Sequence, residues 1–405
     1  MIKYFLIGWL FAAAFWAYSI NWIFDAINYY GAGFTLSGFI TLLLVAYVSI
    51  YFGIFLAATK FFINHKYRFL IIPSIFFLLE WLRSSIISGF PWLKLGLLSE
   101  SLWGLLPVVG SSGTSFLIIL VMALLFEKNR IIISRVTASL ILMALFIGPG
   151  HYQQGGDEKL KITVIQPLKT NMKEIINMTN EAQGDLVIWP EAVTRFDENI
   201  SSLVPDKVVI GGFFREENKN IYTSAINLNT GHYHDKRNLV PFGEFQPFGS
   251  SLRGFNDFFN IANSSLSRGD FKQIKADWSA LICWELVFNN TFTNRVKGTK
   301  YIIHMSNDKW YGESMPAQHL KHAKARAVES NKWVARATLD GISQIISPRS
   351  EESSAVLGRG KKGSITHEIT LNEEDTFYIE YGDIPLLIIS VLSLIFGTYS
   401  RKNEK

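Results

Sequence analysis

The only cysteine in this chain of 405 residues, Cys283, ends the apolar run "SALIC" and is followed by Trp284 and Glu285. A cysteine in such a run can serve as a small hydrophobic side chain of a core, whereas a deprotonated thiol is a strong nucleophile. A carboxylate within reach of the thiol could take its proton during attack on a substrate. The stretch by itself leaves both interpretations open.

Two other apolar runs also end on polar residues. "DLVIWPE" ends on Glu191, and "KYIIHMSND" ends on Asn307 and Asp308. Because sites collect at the carboxyl ends of strands in α/β sheets, we expect these residues to share a site with Cys283. Taken alone, Glu191 is also consistent with a solvated carboxylate at a strand end.

A third candidate region is the loop "HDKRNLVPFGEFQPFG", which contains Lys236 and Glu244. Its prolines and glycines punctuate the chain, and phenylalanines flank Glu244, so we expect the loop to pack against the domain. Lys236 by itself is also consistent with an ordinary surface lysine.

Short runs rich in β-branched and aromatic residues are expected to position these side chains. Predicted strands cover residues 161–168, 185–191, 207–214, 222–229, 279–285, 300–308, 343–348 and 363–370. Strong helix formers fill residues 316–337 and predict a helix there. Strands alternating with helical stretches indicate a layered α/β domain, which we assign to residues 151–383 after the Gly-rich linker 148–159.

The first 150 residues have a different composition, because they hold only 13 of the 73 charged residues. A bilayer core takes roughly 20 residues of helix to cross. Apolar segments of about that length cover residues 4–24, 36–59, 69–87, 105–126 and 131–148, and a shorter one covers residues 384–399. We therefore predict about six transmembrane helices, with residues 1–150 as an N-terminal membrane domain and 384–405 as a C-terminal span and tail.

Loop charges predict the orientation of these spans. With Lys3 inside, the inside loops contain Lys60, Lys66, Arg68, Lys128, Arg130 and Arg135. Lys94 is the only Lys or Arg in the outside loops. The pattern therefore follows the positive-inside rule and leaves residues 150–383 outside. Apolarity continues past Ala14 to Phe24, which favours an uncleaved anchor over a signal peptide. A lone cysteine outside the cell interior cannot form an internal disulfide, which makes it a candidate for chemistry.

Composition also argues against two classes of function. The net positive charge is small, and the basic residues do not cluster into the stripe that is typical of nucleic-acid-binding proteins. The histidines lack metal-ligand spacing, and we expect His319 and His322 to cap and pack on a helix. No cofactor or metal is predicted.

The motifs "WPE", "KRNLVPFGEFQP", "CWE" and "SNDKWYG" occur in that order. With the membrane-side "INW" and "GFPWLKLG", they resemble the apolipoprotein N-acyltransferase family, the membrane-bound branch of the nitrilase superfamily. The resemblance implies an αββα sandwich. It implies Glu191 as general base, Lys236 as catalytic lysine and Cys283 as nucleophile, supported by Glu244 and Glu285. It also implies an oxyanion or substrate region made of Trp284, Asn307, Pro91 and Trp92.

The same resemblance implies the activity. An acyl chain would pass from a phospholipid, such as phosphatidylethanolamine, through a thioester on the cysteine to the N-terminal amine of diacylglyceryl-cysteine in apolipoproteins. It implies a monomeric, multi-pass protein of the bacterial inner membrane whose catalytic domain faces the periplasm. A membrane-tethered nitrilase or amidase is the alternative enzyme, and a transporter with a non-catalytic domain is the alternative class.

This sequence departs from the family pattern in several places. It begins near the family's usual third span, which gives six spans where eight are common and keeps the domain on the same side. Trp284 replaces the usual Tyr, Asp340 replaces the usual Asn, and "SMPAQH" replaces a Gly-Pro pairing. These departures concern substrate contacts more than the chemistry.

Overall fold

The computed structural model describes residues 1–29, 31–127, 131–151, 156–241, 243–245, 266–270 and 276–403, without the side chains of residues 350 and 401–403. Six helices come first in the chain: α1 Ile2–Ser19, α2 Trp22–Tyr29, α3 Gly33–Phe62, α4 Arg68–Ser85, α5 Leu106–Leu125 and α6 Ile131–Ile147. Five more follow: α7 Met172–Asn180, α8 Asn289–Val296, α9 Met315–Ser330, α10 Phe377–Tyr381 and α11 Ile384–Asn403.

Four of the described helical segments are long and apolar enough to cross a membrane: Ile2–Ser19, Gly33–Phe62, Glu100–Leu125 and Ile131–His151. The other two predicted spans correspond to α4, which contains Arg68, Glu80 and Arg83, and to the shorter apolar stretch Ile384–Ser400. Length and composition therefore support four of the predicted membrane spans within the described residues and do not confirm the predicted count of about six spans. Lys128 and Arg130 of the predicted charge pattern lie outside the described residues.

The charged residues of α4 have partners inside the protein. Arg83 donates to the backbone carbonyls of Phe90 and Trp92 at 3.0 and 2.9 Å, and Glu80 accepts from the Ser115 hydroxyl at 3.2 Å. Both charged side chains are buried. A charge in an apolar helix is tolerated where it faces the bundle interior and is hydrogen-bonded, and Arg83 thereby fixes the loop that follows α4.

Eleven described strands form two sheets: β1 Lys159–Gln166, β2 Leu186–Ile188, β3 Thr194–Arg195, β4 Val208–Glu217, β5 Asn220–Asn227, β6 Tyr233–Asp235, β7 Trp278–Ile282, β8 Tyr301–Ser306, β9 Val334–Thr338, β10 Gln344–Ile346 and β11 Gly363–Thr370. The first sheet has the order β11-β1-β2-β4-β5-β6, with β3 beside β4, and the second has the order β10-β9-β8-β7. The central pairs β1–β2, β2–β4, β7–β8 and β8–β9 are parallel.

Apolar side chains of the two sheets meet in one core. Ile162 and Ile188 of the first sheet share a cluster with Ile282 and Ile303 of the second. The other face of the first sheet packs on α7, and the other face of the second packs on α8 and α9. This confirms the predicted α/β class, because each sheet buries one face against the other sheet and one against helices.

The helix predicted over residues 316–337 ends earlier than its composition indicates. Helix α9 ends at Ser330, where Asn331 adopts a left-handed conformation with φ 53° that terminates the helix. Residues 334–338 then form β9, which pairs with β8 in the second sheet. This strand was not predicted, because local helix propensity does not register the pairing of Val334 with Ile302, 32 residues earlier in the chain. The eight predicted strands are present, whereas β3 and β6 were not predicted.

The contact between helix α5 and helix α10 depends on a glycine. Gly110 has φ 63° inside α5, and a Cβ atom at this position would lie 2.2 Å from the ring of Tyr378. Tyr378 is fully buried. The backbone conformation and the close approach both exclude a side chain at Gly110, so this position joins the apolar helices to the α/β domain.

We predict that Gly110→Ala destabilises the protein by about 3 kcal/mol, since it combines a left-handed alanine with overpacking against Tyr378. The matched control is Gly231→Ala, where φ is 71° but no atom lies within 4 Å of the added Cβ. Thermal unfolding in detergent at one scan rate should show a clearly larger loss for Gly110→Ala. Equal losses for the two variants would contradict the steric role of the Tyr378 contact.

Candidate active site

The predicted site residues meet where strands of both sheets end. Glu191 follows β2, Lys236 follows β6, and Cys283 follows β7 directly. Glu191 and Lys236 are hydrogen-bonded, and the charges of both act on the Cys283 thiol. The structure thus brings Glu191, Lys236 and Cys283 together near strand ends.

Lys236 is a buried ammonium group between two carboxylates. Its Nζ lies 2.9 Å from Glu191 Oε1 and 2.6 Å from Glu244 Oε1. Burial opposes its positive charge, but the two carboxylates outweigh burial and hold the pKa of Lys236 well above its ordinary value. Lys236 is therefore a permanent hydrogen-bond donor and positive charge at this site, not a base.

Glu191 is the carboxylate best suited to accept a proton. Its Oε2 accepts the backbone N–H of Asn307 at 3.1 Å, and its Oε1 faces Lys236. Burial raises the pKa of Glu191, the Lys236 charge offsets part of that rise, and Glu244 adds to it, giving a pKa of about 7. A base with a pKa near neutrality is partly ionised at neutral pH and is still basic enough to take up the thiol proton.

Cys283 is fully buried and has a left-handed backbone with φ 50°. For a residue with a side chain this conformation costs roughly 1–2 kcal/mol, so neighbouring groups must hold it. Burial raises the pKa of the thiol, Glu191 raises it further, and Lys236 lowers it only in part. The resting sulfur is thus a neutral thiol that needs a base at the moment of attack.

Glu285 acts on backbone groups of the site, and within the described residues no hydrogen bond or ion pair joins it to Lys236. Its Oε1 accepts the backbone N–H of Arg237 at 2.6 Å, and its Oε2 accepts that of Ile282 at 3.0 Å. Arg295 lies 3.6 Å away as its ionic partner. Glu285 therefore joins the backbone of the lysine loop to the backbone that enters the nucleophile turn.

Glu244 supports both the lysine and its loop. Its Oε2 accepts the backbone N–H of Val240 at 2.9 Å, while its Oε1 contacts Lys236. The loop is packed down at this point, as its composition predicted, since Glu244 is buried. Residues 242 and 246–265 lie outside the described residues.

The residues proposed for an oxyanion or substrate region have different positions. Asn307 acts through its backbone on Glu191. Trp92 is fully buried and stacks on Trp284 with ring centroids 5.4 Å apart, so anchoring of Trp92 at a membrane interface is excluded. Pro91 is also buried. Neither Pro91 nor Trp92 lines the cavity described next.

An apolar cavity of about 360 Å³ extends from the membrane helices to the nucleophile turn. Residues of α2 and α3, of the loop after α4 and of the lysine loop line it together with Trp284, Trp310 and Tyr311. Its α2 and α3 lining residues are Trp22, Ile23, Ala26, Ile27, Ile40, Leu44 and Tyr47. Such a cavity suits a hydrocarbon chain. One of its lining residues, Trp284, directly follows Cys283.

A polar group lies beneath Cys283, and of its members only Asp308 was predicted from the sequence to lie near the cysteine. His304 and His319 both contact the carbonyl oxygen of Cys283, and Arg336 and Asp308 contact the two imidazoles. His319 was predicted to cap a helix, but it lies inside α9. No spacing signal could have found the group, because its members come from β8, the loop after β8, α9 and β9. His322 packs on Trp92, as predicted for a helix histidine.

Within the described residues, no group of three or more His, Cys, Asp or Glu side chains is arranged to hold a metal ion.

Comparisons with known proteins agree with the two-part architecture. Residues 2–124 match the apolipoprotein N-acyltransferase N-terminal domain, and residues 206–377 match the carbon-nitrogen hydrolase family. An apolipoprotein N-acyltransferase of Wigglesworthia glossinidia brevipalpis is 30% identical across 98% of this chain and 89% of its own length. One from Pasteurella multocida is 28% identical across 98% and 87%. A CN-hydrolase superfamily protein from Xanthomonas campestris matches 53% of this chain and 91% of its own, with a TM-score of 0.41 and 14% identity.

The raised pKa of Glu191 predicts the pH dependence of thiol reactivity. Glu191 is protonated below about pH 7 and ionised above it, and only the ionised form accepts the thiol proton. The rate of Cys283 alkylation by iodoacetamide should rise about tenfold per pH unit below pH 7 and then level off. Mass spectrometry is unambiguous because the chain has one cysteine. A wild-type profile identical to that of Glu191→Gln would exclude Glu191 as the base.

Replacing Glu285 by Gln should lower stability by about 1–3 kcal/mol, because the new NH₂ group faces a backbone N–H that then lacks an acceptor. The matched control is Glu380→Gln, which removes an exposed partner of Lys297 and should change stability little. Thermal unfolding and Cys283 alkylation measured together should show both quantities reduced only in Glu285→Gln. Unchanged behaviour of that variant would refute the proposed backbone link.

Proposed function

The chain belongs to the apolipoprotein N-acyltransferase family, and from this membership we propose a ping-pong mechanism in which Cys283 carries the acyl group. The enzyme acylates apolipoproteins on nitrogen. We propose Glu191 as its general base, Lys236 as its electrostatic catalyst and Cys283 as its nucleophile. One observation carries this assignment: Glu191, Lys236 and Cys283 interact with one another. Trp284, the residue after Cys283, also lines an apolar cavity to which α2 and the apolar helix α3 contribute.

The chemistry of the cavity supports a phospholipid as acyl donor. Its walls, which include residues of α2 and of the apolar helix α3, are overwhelmingly apolar, and this favours a fatty acyl chain over a small polar amide. Phosphatidylethanolamine, an abundant membrane lipid, is the donor that we propose. For the same reason a membrane-tethered amidase acting on a soluble substrate is disfavoured.

In the first half-reaction the thiol sulfur attacks the carbonyl carbon of the lipid ester. The thiol proton passes to Glu191 as the S–C bond forms. The C–O ester bond then breaks, and Glu191 returns the proton to the departing alkoxide. The products are a thioester on Cys283 and a lysophospholipid, so atoms and charges balance.

Attack on the ester moves negative charge onto the carbonyl oxygen. Lys236 remains an ammonium because two carboxylates stabilise it, and it can donate to this oxyanion together with the backbone N–H of Trp284. Losing one such donor typically costs about 100- to 1000-fold in rate. A neutral Lys236 would stabilise the oxyanion much less. Glu244 therefore contributes to catalysis indirectly, because it helps to keep Lys236 protonated.

In the second half-reaction the acceptor is the N-terminal amino group of a diacylglyceryl-cysteine. Its nitrogen attacks the thioester, Glu191 takes one amine proton, and the C–S bond breaks. The proton returns to sulfur, which restores the thiol. Conversion of a thioester to an amide is downhill, so the proposed cycle needs no nucleotide. Burial of Glu191, Lys236 and Cys283 disfavours water as a competing acceptor.

The proposal includes a membrane topology. Helix α11 has 20 residues, or about 30 Å at 1.5 Å per residue, which suffices for a hydrocarbon core. The charges of α4 are internally paired, so α4 can also cross. Six crossings, with basic loops inside, leave residues 151–383 as an αββα catalytic domain on the periplasmic face of the inner membrane. Domains 1–150 and 384–405 are then membrane parts of a monomer.

Incubation with phosphatidylethanolamine radiolabelled in its acyl chains should produce a hydroxylamine-labile adduct on the wild-type protein and none on Cys283→Ala. A peptide with N-terminal diacylglyceryl-cysteine should discharge the adduct as a stable amide. The same peptide with an acetylated amino group is the matched control and should not discharge it. Absence of label on the wild type, or its retention on Cys283→Ala, would refute the proposed mechanism.

A further inference from the structure

The carbonyl oxygen of Cys283 accepts hydrogen bonds from two imidazole groups. His304 Nε2 lies 3.3 Å from it and His319 Nε2 lies 3.2 Å from it, and both side chains are fully buried. A carbonyl oxygen can only accept hydrogen bonds, so each Nε2 carries the proton that makes the contact favourable. Two donors from different elements, β8 and α9, thus converge on one backbone atom of the nucleophile.

A buried ion pair holds the two histidines from behind. Arg336 Nη1 donates to His304 Nδ1 at 2.7 Å, and Arg336 Nη2 contacts Asp308 Oδ2 at 2.6 Å. A guanidinium only donates, so His304 Nδ1 must be unprotonated and its proton sits on Nε2. With its proton on Nε2, the His319 ring has an unprotonated Nδ1, which Arg336 Nη2 faces at 3.5 Å. Asp308 Oδ1 lies 3.3 Å from the same nitrogen and accepts from Ser306 Oγ at 2.5 Å. The charge pair thereby fixes both rings.

Fixing this carbonyl also fixes the next N–H. The peptide between Cys283 and Trp284 is trans and planar, so its C=O and N–H point in opposite directions. With the oxygen held by the imidazoles, the Trp284 N–H points away from them. In the described part of the chain this N–H has no hydrogen-bond acceptor. The donor that the reaction requires is therefore left available.

We propose that His304 and His319, held by Arg336 and Asp308, are positioning residues that aim the Trp284 N–H at the oxyanion formed on acylation of Cys283. The inference rests on the proposed function, since it assumes that an ester carbonyl is attacked at Cys283. Both histidines contact the Cys283 backbone through its carbonyl oxygen. They act through one peptide plane, whose N–H is also polarised by hydrogen bonds to its carbonyl.

Two reactions of Cys283 separate this role from simple structural support. Acylation by p-nitrophenyl butyrate passes through an oxyanion, whereas alkylation by iodoacetamide displaces iodide and forms none. Both need the thiol in place and its base. In His319→Leu we expect the acylation rate to fall roughly 10-fold, and in the His304→Leu, His319→Leu double variant roughly 100-fold, because the donor is progressively misaligned. The alkylation rate should stay within about twofold of wild type.

His319→Gln supplies the conservative comparison, because its amide can present an N–H near the position of Nε2, and it should recover most of the acylation rate lost in His319→Leu. Ser330→Ala is the matched control, since it removes a buried hydroxyl of α9 that bonds only within its own helix. Both rates should be unchanged there.

Three results would overturn the proposal: parallel loss of acylation and alkylation in His319→Leu, no loss of either, or a Gln variant as slow as the Leu variant. His304→Leu tests the same carbonyl independently if His319→Leu fails to fold. The p-nitrophenyl ester keeps this test separate from the lipid assignment. A wild type that is acylated by the nitrophenyl ester but not by phosphatidylethanolamine would refute the proposed donor and leave the positioning role to be decided by the variants.

Discussion

The buried ammonium of Lys236 is the group on which the site depends. An ion removed from water without compensation costs several kcal/mol, so the fold must bring opposite charges to it. Glu191 arrives from the end of β2 and Glu244 from the same loop as the lysine. These contacts require the loop to lie closely over the first sheet, and Glu285 ties its backbone to the nucleophile turn. The charge requirement of one side chain thus determines the arrangement of three segments.

The charges of Glu191, Glu244 and Lys236 do not cancel, and this imbalance affects the pKa values of the site. Two carboxylates face one ammonium in a buried setting, so the pKa of Glu191 rises toward neutrality and the thiol of Cys283 stays protonated. The nucleophile is consequently activated only when the base can act on it. A neutral thiol beside a poised base is less exposed to unwanted reactions than a standing thiolate would be. In the proposed mechanism, the same burial that destabilises these charges would also keep water from the thioester intermediate.

The apolar helices and the α/β domain share one interior. The core cluster between the sheets continues through Trp284 to Trp92 and on to Trp16 of α1. Gln318, the neighbour of His319, accepts hydrogen bonds from the indole N–H groups of Trp22 and Trp92. The wall of the cavity and the support beneath the nucleophile are therefore connected within one helix turn. In the proposed mechanism the acyl chain therefore reaches Cys283 from between helices rather than from solvent.

The α/β class, the apolar helices and the placement of Glu191 and Cys283 at strand ends could be predicted from the sequence, because apolar runs and polar strand ends are local features of the chain. That Lys236 joins them was implied only by the resemblance of its motif to the family. The tertiary structure was needed to establish the end of α9, the backbone role of Glu285 and the burial of Trp92. It also decided that two distant histidines meet the Cys283 carbonyl. Each of these depends on the direction of a side chain or on pairing across many residues, which local propensity does not encode.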